Sequence, residues 1–404
     1  MDRRMFVAAA AVLCLSPAMA QERVKLVNVV ELSGAGATAG TNWKNGIDIA
    51  VAEINARGGI LGRQIEIVHY DTQTNPGNTR AAVQRAIDEG TYAVLGPVFS
   101  GPIGASMQIS QRAEIAQIVG GEAAGLTRQG NPYLFRTSLS QAAAMPKIAA
   151  YLQNDVKAKT VAVVWVNNDF GKGGRDAILP ELEKRGIKVV ADVSTEQGQA
   201  DFASDAIKVK NANTDAVFVY LNEEESARFL RAAKQQGIEK PMVGETTLLG
   251  AKVIELAGDA ANGARGHVGL SIDAPVPAFQ EFGRKFQQRF NYASDHNGLK
   301  GYMAVYMVKW ATEKQKKFDK QGLADTLRGA RITPKDEPGI MIDTRIEQNG
   351  DLDRESFLAE VVAGRQVIKQ TLPMINPKST RLLPPSFRPQ SRDDVNPRNT
   401  RRRK

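Results

Sequence analysis

NGIDIAVAEINARGGILGRQIEIVHYDT, residues 45–72, holds a helix, a tight turn and a strand in one continuous run. Ile47, Ala50, Val51 and Ile54 recur at the three-and-four spacing that puts one apolar stripe on a helix, while Asp48, Glu53 and Asn55 fall off it. Such a helix docks on a flat apolar surface. Gly58-Gly59 can adopt the left-handed backbone that closes a helix, and Ile60-Leu61-Gly62 turns the chain into the β-branched run IEIVHY. Upstream, VKLVNVV at 24–30 reads as a second strand, so strand, Gly-rich loop, helix and strand follow in order. A unit of this kind needs a parallel sheet covered on both faces.

Outward from this unit the alternation continues. Helices are expected at about 75–89 and 101–112, strands at 92–95 and 115–119, then a short extended link at 135–138 and a helix near 141–154. A second series starts afresh with VAVVWV (161–166), VVADV (189–193), AVFVYL (216–221) and a strand near 241–243, separated by helices at 172–185, 201–211 and 223–236. Beyond a strand at 266–270 the pattern is mostly helical (277–292, 298–316, 320–329), with late strands at 340–347 and 357–369. The late strands are expected to complete the two existing sheets, so the chain crosses between two lobes more than once. The expected organisation is a first lobe from 21–139 plus 271–345 and a second from 140–270 plus 346–380. A length of 404 residues fits two lobes better than one core.

The ends of the chain read differently. Arg3-Arg4, the apolar run 6–15 and Ala18-Met19-Ala20 have the three-part layout of a cleaved export signal over residues 1–20. Arg3-Arg4-Met5-Phe6 resembles a twin-arginine signal, although Asp2 departs from it and leaves the Sec route open. Leu13 before Cys14 is larger than lipid-attachment sites normally show. Cys14, the one cysteine of the sequence, would leave with the signal, and disulfide, Cys-zinc and thiol chemistry would leave with it. Of the formal charge of +9, the signal carries +1 and residues 381–404 carry +6, which leaves the body almost neutral and removes the case for nucleic-acid binding there. The basic tail, rich in Pro, Arg and Asn, is expected to be disordered; it either holds the protein near anionic lipid or is a solvated extension.

Candidate chemistry is sparse. Gly34-Ala35-Gly36-Ala37-Thr38-Ala39-Gly40 matches a dinucleotide fingerprint, but the ribose-binding acid belongs about 20 residues past that motif and Asp71 lies much further on. What survives is a loop of small residues whose N–H groups face a ligand. Hydrolase chemistry lacks a Gly-x-Ser-x-Gly, and His69, His267 and His296 are the only histidines. His69 reads as packed in a strand, His296, beside Asp295 and Asn297, either edges a cleft or is a solvated loop residue, the commoner case, and no two histidines share metal-ligand spacing, so no catalytic residue, metal or cofactor is expected. The ends of strands are more informative. Ser100 and Gly101 start a helix after a strand, where open α/β sheets bind ligands, although a plain helix cap fits equally well. The turns at Gly120-Gly121-Glu122-Ala123, Asn167-Asn168-Asp169-Phe170, Asn222-Glu223 and Glu245-Thr246 follow strands in the same way. Together they suggest a ligand held between lobes.

These residues resemble a known family. VKLVNVV, LSGAGATAG, EINARGGILGR, YDTQTNP, GPVFS and VNNDFGKGG, spread over about residues 24–370, are similar to the periplasmic leucine/isoleucine/valine-binding proteins, type I solute-binding proteins of ABC importers. The resemblance implies two Rossmann-like lobes with parallel-sheet cores joined by a three-strand hinge. It also implies a periplasmic protein, a monomer, that closes on a small solute and delivers it to a permease served by ATPase subunits, or a sensor using the same clamp. It implies ligand contacts from Ser100, Gly101, Gly121, Glu122 and Ala123 in the first lobe and from Phe170, Asn222, Glu245 and Thr246 in the second. Glu122-Ala123 stands where amino-acid binders of this type offer Ala-Thr, Asn222 where they show an aromatic, and Thr246, one residue after Glu245, where they place an acid. With an unpaired carboxylate too costly in a closed cleft, Glu122 points to a solute rich in hydrogen-bond donors: a polar amino acid, an amide or a urea-like compound.

Overall fold

The computed structural model describes residues 22–375, so the expected signal and basic tail lie outside the described residues. The first half supplies β1 (Arg23–Val30), α1 (Ala37–Ala56), β2 (Gln64–Asp71), α2 (Pro76–Asp88), β3 (Ala93–Leu95), α3 (Ser100–Arg112), β4 (Gln117–Val119) and β5 (Leu134–Arg136). Its five strands form a parallel sheet in the order β2-β1-β3-β4-β5. The stretch expected as an extended link is thus the fifth strand. Gly58 and Gly59 have φ of 98° and 81°, the left-handed turn expected after α1.

After α4 (Gln141–Asn154) come β6 (Thr160–Val166), α5 (Asp169–Lys184), β7 (Lys188–Thr195), α6 (Ala203–Asn211), β8 (Ala216–Tyr220), α7 (Glu223–Gln235), β9 (Met242–Gly244), α8 (Thr246–Leu249), α9 (Ala251–Ala257) and β10 (Arg265–Val268). Three helices follow, α10 (Pro277–Phe290), α11 (His296–Gln315) and α12 (Lys320–Leu327), then β11 (Arg331–Ile332), β12 (Thr344–Ile346), β13 (Leu352–Asp353), β14 (Ser356–Val362) and β15 (Arg365–Leu372). The second sheet runs β15-β14-β10-β9-β8-β6-β7, parallel except for β14 and β15, which form an antiparallel hairpin at one edge. The expected single strand at 357–369 is therefore two strands around Ala363 and Gly364, both with positive φ. The expectation that late strands only complete the two main sheets needs correcting as well: β11, β12 and β13 make a small antiparallel sheet of their own.

The chain passes between the main sheets after β5, after β10 and between β13 and β14. Arg136, fully buried at the end of β5, pairs with Asp351 at 2.7 Å, so one passage is pinned to another. Its guanidinium also donates to the carbonyls of Gly121 (3.1 Å) and Ala123 (3.2 Å), which fixes the turn after β4. α11 returns to the first sheet by packing on α1. The two helices cross where a Cβ on Gly46 would lie 1.9 Å from the Gly298 carbonyl and a Cβ on Gly301 would lie 2.1 Å from that of Trp43. Only glycine permits that approach, and it sets the first turn of α11 beside the start of α1.

Candidate functional site

Loop ends from both sheets converge on one cavity. From the first sheet's side come Val98, Phe99, Ser100, Gly120, Gly121 and Glu122, with Ala39 from α1 and His296, Asn297 and Lys300 from α11; across from them stand Phe170, Asn222, Glu223 and Thr247. About 30 Å³ of the cavity is open to the centres of water-sized molecules, room for roughly two waters. The lobes therefore lie in a closed position. Thr38 Oγ1 donates across the gap to Glu224 Oε1 at 2.5 Å, and a Cβ on Gly101 would lie 3.4 Å from Asp169 Oδ2.

Each wall has a local cause. Glu31, at the end of β1, is buried and accepts the N–H groups of Val98 (3.1 Å) and Phe99 (3.0 Å), so those two donors are spent on the loop itself and not offered to the cleft. Burial pushes its carboxyl up to about 7, with Asp71 adding and the two N–H bonds opposing. Ser100 Oγ accepts from the Ala123 N–H at 3.2 Å, tying the start of α3 to the turn after β4. Gly121 has no room for a side chain, because a Cβ would meet Ile103 Cδ1 at 2.4 Å. Phe170 stacks on Tyr220 at 4.3 Å, and Gly174 leaves space for that ring. Asn222 opens α7 and donates from its side chain to Glu225 at 2.6 Å.

At the back of the cavity a relay of buried polar groups crosses between the lobes. Lys300 Nζ donates to Glu122 Oε1 at 2.6 Å, and His267 Nδ1 lies 3.0 Å from Glu245 Oε1. Glu122 and Glu245 lie within hydrogen-bonding reach of each other, and each has one oxygen that no other donor reaches among the described residues. One proton held between the two carboxyls satisfies both. Burial, with the Glu245 charge adding, pushes Glu122 up to about 7 while Lys300 pulls it back, and burial raises Glu245 as well, so the two carboxyls share one proton and Lys300 balances the single charge that is left. Burial and the charges of Lys147 and Arg354 push His267 down to about 3, so its ring is neutral, and Nδ1 is the donor to Glu245.

A second group bridges the two sides of the cavity. Glu223, Asp295 and His296 are all buried, and each offers a ligand atom within 4.8 Å of the others. Burial, then the charge of Asp295, pushes Glu223 up to about 8; burial takes Asp295 to about 6 against its bonds to the N–H groups of Asn297 and Gly298. Burial, with Lys300 adding, drives His296 well below the usual imidazole range, so it is neutral.

The nine residues expected at the site divide by position. Ser100, Gly121, Glu122, Phe170 and Asn222 line the cavity. Gly101 does not; it faces Asp169 across the gap. Ala123 packs with Ile103, Met107, Val119 and Leu126 in an apolar cluster. Glu245 reaches the site only through Glu122, and Thr246 faces a separate groove with Asp295 and Ser271, while its neighbour Thr247 lines the cavity. Glu122 is paired with Lys300, so the premise of an unpaired carboxylate there does not hold. His296 is buried, not solvated, because it is the first residue of α11, a helix covered almost all round. Gly34-to-Gly40 is not an open loop either: α1 starts at Ala37, and a Cβ on Gly40 would lie 1.8 Å from the Glu31 carbonyl. Lys300 was missed, yet a lysine in the otherwise neutral run NGLKGYMAVYMV marks a buried charge that needs an acid.

The sequence profile of the family described as "Periplasmic binding protein" matches residues 23–366. The chain belongs to this family. It is 26% identical over 356 residues to the leucine-, isoleucine-, valine-, threonine- and alanine-binding protein of Pseudomonas aeruginosa, covering 88% of this chain and 94% of that one. The Leu/Ile/Val-binding protein of Escherichia coli K12 is 28% identical over 243 residues, 60% of this chain and 66% of that protein. Among solved structures, LivJ of Streptococcus pneumoniae in complex with isoleucine aligns at a TM-score of 0.78 and 24% identity, over 88% of this chain and 99% of that one. A solute-binding protein of Rhodopseudomonas palustris in complex with 3,4-dihydroxybenzoic acid aligns at 0.79 and 21%, over 87% and 97%. Both share the two-sheet fold. As a periplasmic binding protein of the leucine/isoleucine/valine-binding type, this chain is a solute carrier and not an enzyme.

Proposed function

We propose that this periplasmic binding protein captures a small polar solute, an amino acid, an amide or a urea-like compound, between two closing lobes and delivers it, as a monomer, to an ABC permease driven by separate ATPase subunits. The observation that carries this reading is the cavity itself: its walls are strand ends and helix starts from both sheets, and it is closed off by cross-lobe contacts such as Thr38 to Glu224. Phe99 and Phe170 supply flat apolar surface; Ser100, Asn222, Asn297 and Lys300 supply hydrogen-bonding groups that a polar solute needs once it leaves water. With Glu122 held by Lys300, the demand for positive charge or N–H donors falls on Glu223 instead. Closure around the hinge presents the permease with a shape that only the loaded protein holds.

The test is a thermal-shift screen over amino acids, amides, polyamines and aromatic acids. A true ligand at a hundred times its dissociation constant adds about 2.7 kcal/mol of stability. No shift with any amino acid, amide or urea-like compound, alongside a clear shift with an aromatic acid, would overturn the solute class while leaving the clamp intact.

A further inference from the structure

Glu223 stands at the start of α7 on the second sheet's side, whereas Asp295 and His296 open α11, which is packed on α1 of the first. Their ligand atoms all lie within 4.8 Å of one another, and the three residues are 4, 7 and 4% exposed, so water does little to separate the two carboxylates. His296 Nδ1 has no hydrogen-bond partner among the described residues, which leaves an imidazole in the cluster with an unused ring nitrogen. Asn297 Nδ2 lies 3.4 Å from both Glu223 Oε1 and Asp295 Oδ2, and its Oδ1 is also buried without a partner. The two ends of that amide differ only by a flip, which would turn the oxygen toward the cluster.

We infer that Glu223, Asp295 and His296, with the Asn297 amide oxygen as a fourth donor, hold a divalent first-row transition-metal cation that joins the two lobes. Two carboxylates and one imidazole are the donor set that zinc and manganese take. Ligands of a tetrahedral zinc stand about 3.4 Å apart, so the cluster needs a contraction of about 1.4 Å at most to close on the ion. Glu223 and His296 also line the solute cavity, so the remaining coordination positions face an oxygen of whatever solute is bound there. The inference uses the closed position of the lobes on which the solute reading also rests.

The experiment is calorimetric titration of the EDTA-treated full chain with ZnCl2 and MnCl2, repeated on Glu223→Gln and His296→Ala, with cobalt(II) absorption spectra of the unaltered protein as a readout independent of either variant's folding. One site per chain is expected, with affinity lowered by at least about tenfold in each variant and a visible cobalt spectrum of bound imidazole and carboxylate. Equal affinity in the unaltered protein and in His296→Ala, or no cobalt spectrum, overturns the metal site. If metal-free protein binds an amino acid and Glu223→Gln abolishes that binding, the acidic wall holds the solute's ammonium: the metal inference fails and the solute reading stands.

Discussion

Lys300 Nζ lies 2.6 Å from Glu122 Oε1, with the lysine and glutamate side chains 5 and 9% exposed. Neither charge is solvated, so each exists because of the other, and the pair continues through Glu245 to His267 in the facing lobe. Replacing Lys300 by Met leaves a buried carboxyl without its cation and should cost about 3 kcal/mol in urea unfolding, while adding Glu122→Gln to that variant should recover much of the loss. If the double variant is as unstable as the sum of the two single ones, the pair is not coupled in this way.

Glu31 gives a pH signature. Its carboxyl, pushed up to about 7 from 4.5, keeps a proton in the folded chain where the unfolded chain has released it. Stability is therefore lost as pH rises from about 4.5 to about 7, by up to about 3 kcal/mol, and levels off above. Glu122, Asp295 and Glu223 titrate in the same direction, so the relevant quantity is the difference between the unaltered protein and Glu31→Gln across this window. A difference that does not change with pH would show that Glu31 is not titrating there.

Gly40→Ala tests why the small-residue run at 34–40 exists. A Cβ 1.8 Å from the Glu31 carbonyl meets rigid backbone on both sides, so the substitution should destabilise by about 2 kcal/mol or more and lower the melting temperature clearly. A neutral effect would return the run to ligand contact.

Arg354 is fully buried; among the described residues its guanidinium contacts the Met303 sulfur at 3.9 Å, and its Nε and Nη2 have no partner. Burial pushes its guanidinium down to about 9, with Glu122 opposing. A buried cation held this loosely contributes little net stability, so Arg354→Met should be neutral or stabilising by about 1 kcal/mol in the same urea assay. A loss above about 3 kcal/mol would mean that the guanidinium balances the Glu122–Glu245 pair.

Much of the architecture was legible because it is local. Ile47, Ala50, Val51 and Ile54 declare one face of α1, the Gly58-Gly59 turn requires its positive φ, and α4 begins and ends where its pattern does. The small sheet β11-β12-β13 was not legible, since strands of two or three residues carry no periodicity. The site was half legible for a related reason. Ser100, Gly121, Glu122, Phe170 and Asn222 announce themselves as the residues after strands, a position the fold exposes. His296, Asn297 and Lys300 reach the cavity only because Gly46 and Gly301 let α11 cross α1 so closely, and such a crossing is a property of two helices some 250 residues apart. Spacing rules for metal ligands fail at Glu223, Asp295 and His296 for the same reason: the cluster is assembled through space, from one histidine and two acids.

The central claim is that solute enters and leaves only when the lobes part. Gly101 and Asp169 face each other across the gap: a Cβ on Gly101 would lie 4.0 Å from Asp169 Cγ, which leaves the two Cβ positions no more than about 5.5 Å apart and about 1 Å of approach from disulfide geometry, and the sequence has no cysteine besides Cys14 in the expected signal. The decisive measurement is binding of a solute found by the thermal-shift screen to Gly101→Cys/Asp169→Cys protein, oxidised before the solute is added and then reduced. The account predicts no binding by the oxidised protein and full binding after reduction; equal binding in both states would contradict it.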